Sequence, residues 1–158
     1  MKSTQLAHNL ISDKLFGGEV VIDATAGNGH DALFLANLVG VSGTIYAFDV
    51  QKDAINNTRL KLQQMGYSER LRLINLGHEK MRESISAEHQ GRIAVIMFNL
   101  GYLPGGDHSI TTLKETTLEA ISQGLELLAP EGIMTIVCYP GHQAVSYTHL
   151  TLPTSDLV

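Results

Sequence analysis

The stretch VVIDATAGNGHD, residues 20–31, decides how the chain folds. Its first part is an apolar run that ends at an acid, Asp23, and its second part contains Gly27 and Gly29. A short run that is apolar throughout is typical of a strand buried on both faces, and glycines permit the sharp turn that follows it. The stretch therefore predicts a buried strand, a tight turn and then a helix that begins near Asp31, where a carboxylate suits the helix N-terminus.

Short β-rich runs alternate with helical periodicity on both sides of this stretch. The predicted helices span residues 4–15, 30–39, 52–65 and 110–128, and the predicted strands span residues 20–23, 44–49, 71–75, 93–99 and 133–138. Such alternation predicts a parallel sheet with right-handed crossovers and helices on both faces. We therefore predict a Rossmann-like α/β fold, in which ligands bind beyond the carboxyl ends of the strands.

Length and composition limit the class of protein. The chain has 158 residues, of which 44% are apolar and 17% charged, and these values are typical of one soluble globular domain. No apolar run reaches the roughly 20 residues that span a bilayer, and residues 1–10 lack the apolar core of a signal peptide. The single cysteine, Cys138, excludes an internal disulfide and predicts a small buried residue on a strand, in a protein of the cytoplasm.

The charge of the chain bears on its partners. A net charge of −5 argues against a protein that holds nucleic acid by charge alone. Some basic side chains offer a local patch for RNA, although a solvated face of mixed charge explains them as well. These side chains are Arg59, Lys61, Arg70 and Arg72.

An acid after the second predicted strand completes a candidate binding crevice. Asp49 lies 20 positions beyond Gly29, counted as 49 − 29. An acid at this place can accept both ribose hydroxyls of an adenine nucleoside. The glycine turn and Asp49 together predict a crevice that binds adenosine.

Two other acids favour S-adenosylmethionine over a dinucleotide as the ligand. The pattern formed by Gly27, Gly29 and Ala32 also fits the NAD fingerprint. However, Asp31 places negative charge where a dinucleotide binder holds phosphate, and Asp23 would oppose a pyrophosphate but can help to place the amino group of a methionine. We therefore predict a methyltransferase. The alternatives are an NAD-dependent oxidoreductase and a non-catalytic module that binds RNA or protein.

The loop after the fourth predicted strand suggests the chemistry of the acceptor. The run NLGYLPGGD, residues 99–107, resembles the Asn-Pro-Pro-Tyr type of loop found in methyltransferases that modify amino nitrogens. In this interpretation Asn99 holds the acceptor nitrogen and Tyr102 stacks on a planar base. The structural alternative is a turn rich in glycine and proline that leads into a helix.

Histidines near the strand ends are further candidates. We predict that His78 forms a wall of the adenine pocket, although a surface histidine is the equal alternative. His142 is a candidate acceptor for the proton that an amine must lose, because an ordinary histidine titrates near neutral pH. The pair Asp107 and His108 is a second candidate. No cluster has the spacing of a metal site, so we predict no metal.

Several of these motifs resemble one family. The segments are VIDATAGNGHDALFLA (21–36), IYAFDVQ (45–51), LINLGHE (73–79), FNLGYLPGGDHSITT (98–112) and YPGH (139–142). They are similar to the small class I methyltransferases called the "putative rRNA methylase" family, and the match spans residues 4–142. The resemblance implies the class I methyltransferase fold, S-adenosylmethionine as cofactor, tRNA as substrate and a homodimer for the full-length protein. It further implies methylation of the aminomethyl group of 5-aminomethyl-2-thiouridine at the wobble position; a small-molecule or protein acceptor is the alternative.

The residue patterns and the resemblance together assign roles to individual positions. The predicted cofactor-binding residues are Asp23, Thr25, Ala26, Gly27, Asn28, Gly29, Asp31, Asp49, Gln51, His78, Asn99 and Gly101. The predicted substrate-binding residues are Tyr102, Pro104, Tyr139 and His142. The predicted catalytic residues are Asn99, Tyr102 and His142.

The C-terminal segment is predicted to be foreign to the domain. Its run VSYTHLTLPT, residues 145–154, coincides with one reading frame of a transposase sequencing adapter. We therefore predict an incomplete S-adenosylmethionine-binding domain over residues 1–143 and a non-native tail over residues 144–158. A full domain of this type closes its sheet with two more strands, and their loss would leave an exposed edge. The alternative is a genuine β-prone C-terminal segment.

Overall fold

A computed structural model describes residues 2–100, 109–138 and 148–153, with side chains for residues 2–100 and 115–138. The helices in these ranges are α1 (Ser3–Ser12), α2 (His30–Val39), α3 (Lys52–Gln64), α4 (Met81–Ser84) and α5 (Ser109–Leu127). The strands are β1 (Val20–Asp23), β2 (Thr44–Phe48), β3 (Leu71–Ile74), β4 (Ile93–Leu100), β5 (Leu128–Cys138) and β6 (Thr148–Pro153). No helix in the described ranges is long and apolar enough to cross a membrane.

The strands form a single sheet in the order β3-β2-β1-β4-β5-β6. The first five strands run parallel to their neighbours, and β6 pairs with β5 in the antiparallel direction. The chain goes from β1 outward to β3 and then returns to place β4 on the other side of β1. This reversal is the topological switch point of a Rossmann-like fold, where ligands bind in open α/β sheets. The predicted parallel α/β architecture is confirmed.

Apolar layers cover both faces of the sheet, because consecutive strand residues point to opposite sides. On β1, Val21 packs with α1, α2 and α3, whereas Ile22 packs with α4 and α5. On β2, Ile45 packs on the same face as Val21, and Tyr46 packs on the same face as Ile22. Strands buried on both faces need to be apolar at nearly every position, which explains the continuous apolar runs in the sequence.

The fifth strand begins earlier than predicted. Its register pairs Leu128 with Ile93, and the next pairing joins Ile133 to Val95. The residues between Leu128 and Ile133 therefore bulge out of the ladder, and Glu131 among them has a left-handed φ of 66°. Residues 129–132, which separate the predicted helix from the predicted strand, lie within β5 as this bulge.

Two other features of the fold were not predicted. Helix α4 and three short 3-10 turns, at Ser68–Arg70, His78–Lys80 and Ala87–His89, are too short to show a hydrophobic period. Strand β6 lies inside the segment predicted to be a non-native tail, and it occupies the edge of β5 that we expected to be exposed. The non-native origin of residues 144–158 stays a prediction.

Candidate functional site

The loops after β1, β2 and β4 meet at the carboxyl edge of the sheet. The last residue of β1, Asp23, lies between Ala47 of β2 and Met97 of β4 in the strand register. A backbone hydrogen bond of 2.9 Å from the amide of Ala26 to the carbonyl of Phe48 ties the loop after β1 to β2. The chain segments predicted to form a crevice are therefore adjacent in space.

The turn after β1 depends on its two glycines. Gly27 and Gly29 have φ values of 53° and 85°, which favour glycine because side chains are strained in this region. A Cβ atom at position 29 would also lie 2.9 Å from the Cα atom of Thr58 on α3. Gly29 is thus required where the turn meets α3. The side chain of Thr58 donates to the carbonyl of Gly27 at 3.2 Å and holds the turn from the same side.

Asp49 joins the glycine turn to the end of β2. Its Oδ2 atom accepts a hydrogen bond from the amide of Gly27 at 2.9 Å, and its Oδ1 atom accepts one from the amide of Gln51 at 2.9 Å. An ionised carboxylate has about four lone-pair sites, so each oxygen retains one for a further donor. The side chain of Asn75 holds the loop in place by donating to the carbonyls of Asp49 and Val50, at 2.9 and 3.1 Å.

Asp23 is a fully buried acid behind this turn. Its Oδ1 atom accepts a hydrogen bond from the amide of Thr25 at 3.1 Å, whereas Oδ2 is buried without a partner among the described residues. Burial, followed by the nearby charge of Asp31 and then that of Asp49, raises the pKa of Asp23 to about 8. A buried polar atom without a hydrogen-bond partner is costly, and a ligand group that forms a hydrogen bond with Oδ2 would relieve that cost.

Asp31 and Asn99 connect the start of α2 to the end of β4. The amide nitrogen of the Asn99 side chain donates to Oδ2 of Asp31 at 3.2 Å, and the backbone amide of Asn99 donates to the Thr25 hydroxyl at 2.8 Å. The other carboxylate oxygen of Asp31 bonds to the His8 ring at 2.9 Å. Both oxygens of Asp31 therefore have protein partners, whereas Oδ1 of Asn99 is buried without one in the described part of the chain.

His78 lies beside the loop after β1. Its Nδ1 atom is 3.2 Å from the carbonyl of Ala24 and its Nε2 atom is 3.4 Å from the hydroxyl of Thr117 on α5. A carbonyl only accepts, so Nδ1 carries the proton and Nε2 accepts from Thr117. Burial lowers the pKa of His78, which favours this neutral form. The predicted position next to the crevice is observed, and the role as a wall of an adenine pocket stays a prediction.

The remaining predicted residues divide into two groups. Among the described residues, Asn28 and Gln51 are exposed, with the Asn28 side chain 3.4 Å from that of Asn57 on α3. The other group lies outside the described residues, so the roles predicted for it remain predictions. This group consists of Gly101, Tyr102, Pro104, Asp107, His108, Tyr139 and His142.

Three of the four basic residues that offered a patch for RNA contact neighbouring side chains or carbonyl groups of the protein. The guanidinium of Arg70 lies 3.9 Å from the centre of the Tyr67 ring and donates to the carbonyl of Ala36 at 2.9 Å. Lys61 contacts the His30 ring at 3.0 Å, and Arg59 bonds to Asn56 at 2.8 Å. Arg72 is exposed on β3.

Two remaining features of the described ranges are the position of Cys138 and the arrangement of residues that could hold a metal ion. Cys138 ends β5, as the predicted strand position requires, and is partly rather than wholly buried there. Partial burial raises the pKa of its thiol. In residues 2–100, 109–138 and 148–153, no group of three or more histidine, cysteine or acidic residues is arranged to hold a metal ion.

Some site residues were missed by the sequence analysis. His8, Thr58 and Asn75 each hold a predicted site residue in place through a hydrogen bond. His8 and Thr58 lie outside the motifs quoted above, whereas Asn75 lies within LINLGHE (73–79) but was assigned no role. The side-chain pattern of α3 offered one signal, because Thr58 is a polar residue on the buried face of that helix.

Comparison with known proteins gives concordant results. A family model described as "Putative rRNA methylase" matches residues 45–148. A curated protein from Arabidopsis thaliana, named tRNA (mnm(5)s(2)U34)-methyltransferase, chloroplastic, is 42% identical over 172 aligned residues. That alignment covers 99% of this chain but 62% of the relative, so the chain spans less than two thirds of the relative's length.

Solved structures are similar over most of the chain. A crystal structure described as a "putative rRNA-methylase" from Clostridium thermocellum is 44% identical with a TM-score of 0.80, covering 90% of this chain and 75% of that one. A "putative methyltransferase" from Streptococcus mutans, in complex with SAH, is 36% identical with a TM-score of 0.74, covering 87% of this chain and 72% of that one.

These similarities confirm the predicted Rossmann-like class I methyltransferase fold. They also confirm the resemblance drawn from the motifs, since the family model matches more than half of the residues. The chain belongs to the family described as "Putative rRNA methylase".

Proposed function

We propose that this chain is an S-adenosylmethionine-dependent methyltransferase that N-methylates the aminomethyl group of a wobble uridine in tRNA. One observation carries the cofactor assignment. The carboxylate of Asp49 holds the amide of Gly27 at 2.9 Å, which joins the acid and the glycine turn at neighbouring strand ends. Each Asp49 oxygen keeps a free lone pair, and two free acceptors match the two hydroxyls of a ribose.

The charges near the turn support S-adenosylmethionine over NAD. Asp31 and Asp49 place negative charge beside Asp23, close enough to raise the pKa of Asp23. A negatively charged site disfavours the pyrophosphate of a dinucleotide, whereas it suits a ligand with a sulfonium and an ammonium group. The Streptococcus mutans relative, solved in complex with SAH, supports the same choice.

The acceptor assignment is supported by Asn99 and by the relatives. The buried Oδ1 atom of Asn99 has no partner among the described residues, and it is suited to accept a hydrogen bond from an amine. When bound, S-adenosylmethionine supplies an electrophilic methyl group on its sulfonium. The task left to the protein is to align a neutral amine behind that carbon, and such positioning contributes roughly 7–11 kcal/mol to barrier reduction.

The amine must lose a proton before it attacks, because an alkylamine is mostly protonated at neutral pH. We propose His142, or the pair Asp107 and His108, as the group that receives this proton. Tyr102 is proposed to stack on the uracil ring, and Pro104 and Tyr139 to contact the RNA. The Arabidopsis relative carries a tRNA methyltransferase name and is chloroplastic; for this chain we propose the cytoplasm as the compartment and a homodimer as the full-length assembly.

The reaction is tested by incubating the chain with isotopically labelled S-adenosylmethionine and tRNA that lacks the wobble methyl group. We expect label in a methylated wobble nucleoside, detected by mass spectrometry of digested tRNA, and no label with the Asn99→Ala variant. Binding of S-adenosylhomocysteine without turnover on tRNA would contradict the proposal and favour a non-catalytic module. Binding of NAD alone would favour an oxidoreductase, and label in a protein or small molecule would overturn the RNA assignment.

A further inference from the structure

A chain of three side chains links the N-terminal helix to the proposed acceptor site. His8 lies on α1, Asp31 begins α2, and Asn99 stands near the end of β4. The contacts are 2.9 Å between Nε2 of His8 and Oδ1 of Asp31, and 3.2 Å between Nδ2 of Asn99 and Oδ2 of Asp31. Asp31 is only 9% exposed, so both of its contacts are shielded from most competing water.

The His8 ring is held in the orientation that this contact requires. It stacks on the ring of Phe34 with 3.8 Å between centroids and 7° between planes. Phe34 lies one turn after Asp31 on α2, so a single helix provides both the stacking partner and the carboxylate. A donor held in this way limits the rotation of the Asp31 carboxylate.

The ionised carboxylate in turn decides which way the Asn99 amide faces. A carboxylate only accepts hydrogen bonds, so the amide nitrogen of Asn99 must face Asp31 and the carbonyl oxygen must face away. The backbone of Asn99 is fixed separately through the Thr25 hydroxyl at 2.8 Å. The carbonyl oxygen that results is buried without a partner in the described part of the chain, which leaves it available to a donor on a ligand.

We propose that His8 and Asp31 are positioning residues for methyl transfer. They hold the Asn99 side-chain amide so that its carbonyl oxygen accepts a hydrogen bond from the N–H group of the acceptor amine. This inference rests on the proposed function, and it gives helix α1 a role at the acceptor side of the site. In this arrangement Asp31 acts on the acceptor amine through Asn99.

Paired variants of His8 separate its hydrogen bond from its packing. His8→Phe keeps a ring to stack on Phe34 but removes the donor to Asp31. His8→Gln keeps an N–H donor at similar reach but removes the ring. Asp31→Asn removes the carboxylate that orients Asn99. Gln5→Ala is a control because Gln5 is exposed on the same helix and its side chain donates to Asn9, one turn away, at 3.0 Å.

The kinetic readout is the split between kcat and KM on tRNA that lacks the wobble methyl group. We expect Asp31→Asn and His8→Phe to lower kcat, by about tenfold or more for Asp31→Asn, because misplacement of a reacting group is costly. For His8→Phe, which keeps every charge of the cofactor site, KM for S-adenosylmethionine and the affinity for S-adenosylhomocysteine should stay within about twofold of the wild-type values, well below the tenfold that 1.4 kcal/mol represents. His8→Gln should recover most of the wild-type kcat, and Gln5→Ala should match the wild type.

A spectroscopic readout decides the same question without turnover. The side-chain amide signal of Asn99, identified by its loss in Asn99→Ala, should shift in Asp31→Asn and His8→Phe and return in His8→Gln. An unchanged Asn99 signal and kcat in His8→Phe would overturn the inference, as would equal losses of kcat and melting temperature in both His8 variants. Wild-type protein that transfers no methyl group would contradict the proposed function instead, and the amide signal would then decide whether His8 and Asp31 orient Asn99.

Discussion

At the scale of single residues, the site depends on acids that are held in unfavourable surroundings. Asp23 is fully buried, and one of its oxygens lacks a partner among the described residues. Burial and two neighbouring carboxylates raise its pKa to about 8. A protein retains such a group at a cost in stability, which is the pattern expected of a binding site rather than of a core position.

The replacement of Asp23 by asparagine should reveal this cost as a dependence of stability on pH. In the unfolded chain Asp23 ionises near pH 3.8, whereas in the folded protein it stays protonated up to about pH 8. The unfolded state therefore binds fewer protons between these values, so the contribution of Asp23 to stability falls as pH rises from about 4 to 8. Asp23→Asn lacks this loss and should be more stable than the wild type at pH 8, by about 2 kcal/mol or more.

Urea unfolding of both proteins at pH 4, 6 and 8 measures this difference. The difference in the free energy of unfolding, Asp23→Asn minus wild type, should increase from pH 4 to pH 8. Asp53→Asn is a suitable control, since Asp53 is exposed on α3. A difference that stays constant from pH 4 to pH 8 would contradict the raised pKa of Asp23.

At the scale of elements, the sequence predicted those contacts that follow from the order of strands and loops along the chain. Asp49 and the glycine turn were predicted to meet because they follow consecutive parallel strands, and the 2.9 Å contact with Gly27 agrees. His8 was not predicted, because it lies 23 positions from Asp31, and Asp31 lies 68 positions from Asn99. Contacts at such separation depend on how helices dock on the sheet, which local periodicity does not encode.

The bulge in β5 shows a second limit of local patterns. Pro130 and Gly132 are typical of a turn, so the sequence predicted a strand that begins after them, at residue 133. In the structure Leu128 already pairs with Ile93, so the strand begins before Pro130 and Gly132, and these residues form the bulge within it. The short helix α4 was missed for a similar reason, because its position depends on partners on α5.

One buried side chain on α5 attaches this short helix. The Gln123 amide accepts from the backbone amide of Arg82 at 2.8 Å and donates to the carbonyl of Glu79 at 2.6 Å. Gln123→Met keeps the approximate volume but leaves both backbone groups without that partner. We expect a loss of about 2 kcal/mol in the free energy of unfolding.

Guanidinium unfolding of Gln123→Met beside Ser122→Ala checks this expectation. Ser122 is the exposed neighbour on the same helix, and its replacement should change stability by no more than about 0.5 kcal/mol. Equal stability of the two variants would mean that Gln123 does not hold α4 in place.

At the scale of the whole molecule, the sheet order brings chemically different loops to one edge. The buried acid Asp23 ends β1 and the glycine turn follows it, Asp49 directly follows β2, and Asn99 lies near the end of β4. The chain carries a net charge of −5, and the acids at this edge make it suited to a cationic ligand. Hydrogen bonds from Gly27 to Asp49 and from Asn99 to Thr25 join these segments to one another.

Asp49, held against the glycine turn at 2.9 Å, is proposed to bind the ribose of an adenosyl group. Calorimetric titration of S-adenosylhomocysteine into the wild type, Asp49→Ala and Asp53→Ala tests it most directly, with circular dichroism to verify that each variant is folded. We expect Asp53→Ala to bind like the wild type and Asp49→Ala to bind at least about tenfold more weakly, a loss of roughly 1.4 kcal/mol. Equal affinity in folded Asp49→Ala and wild-type protein would contradict the account.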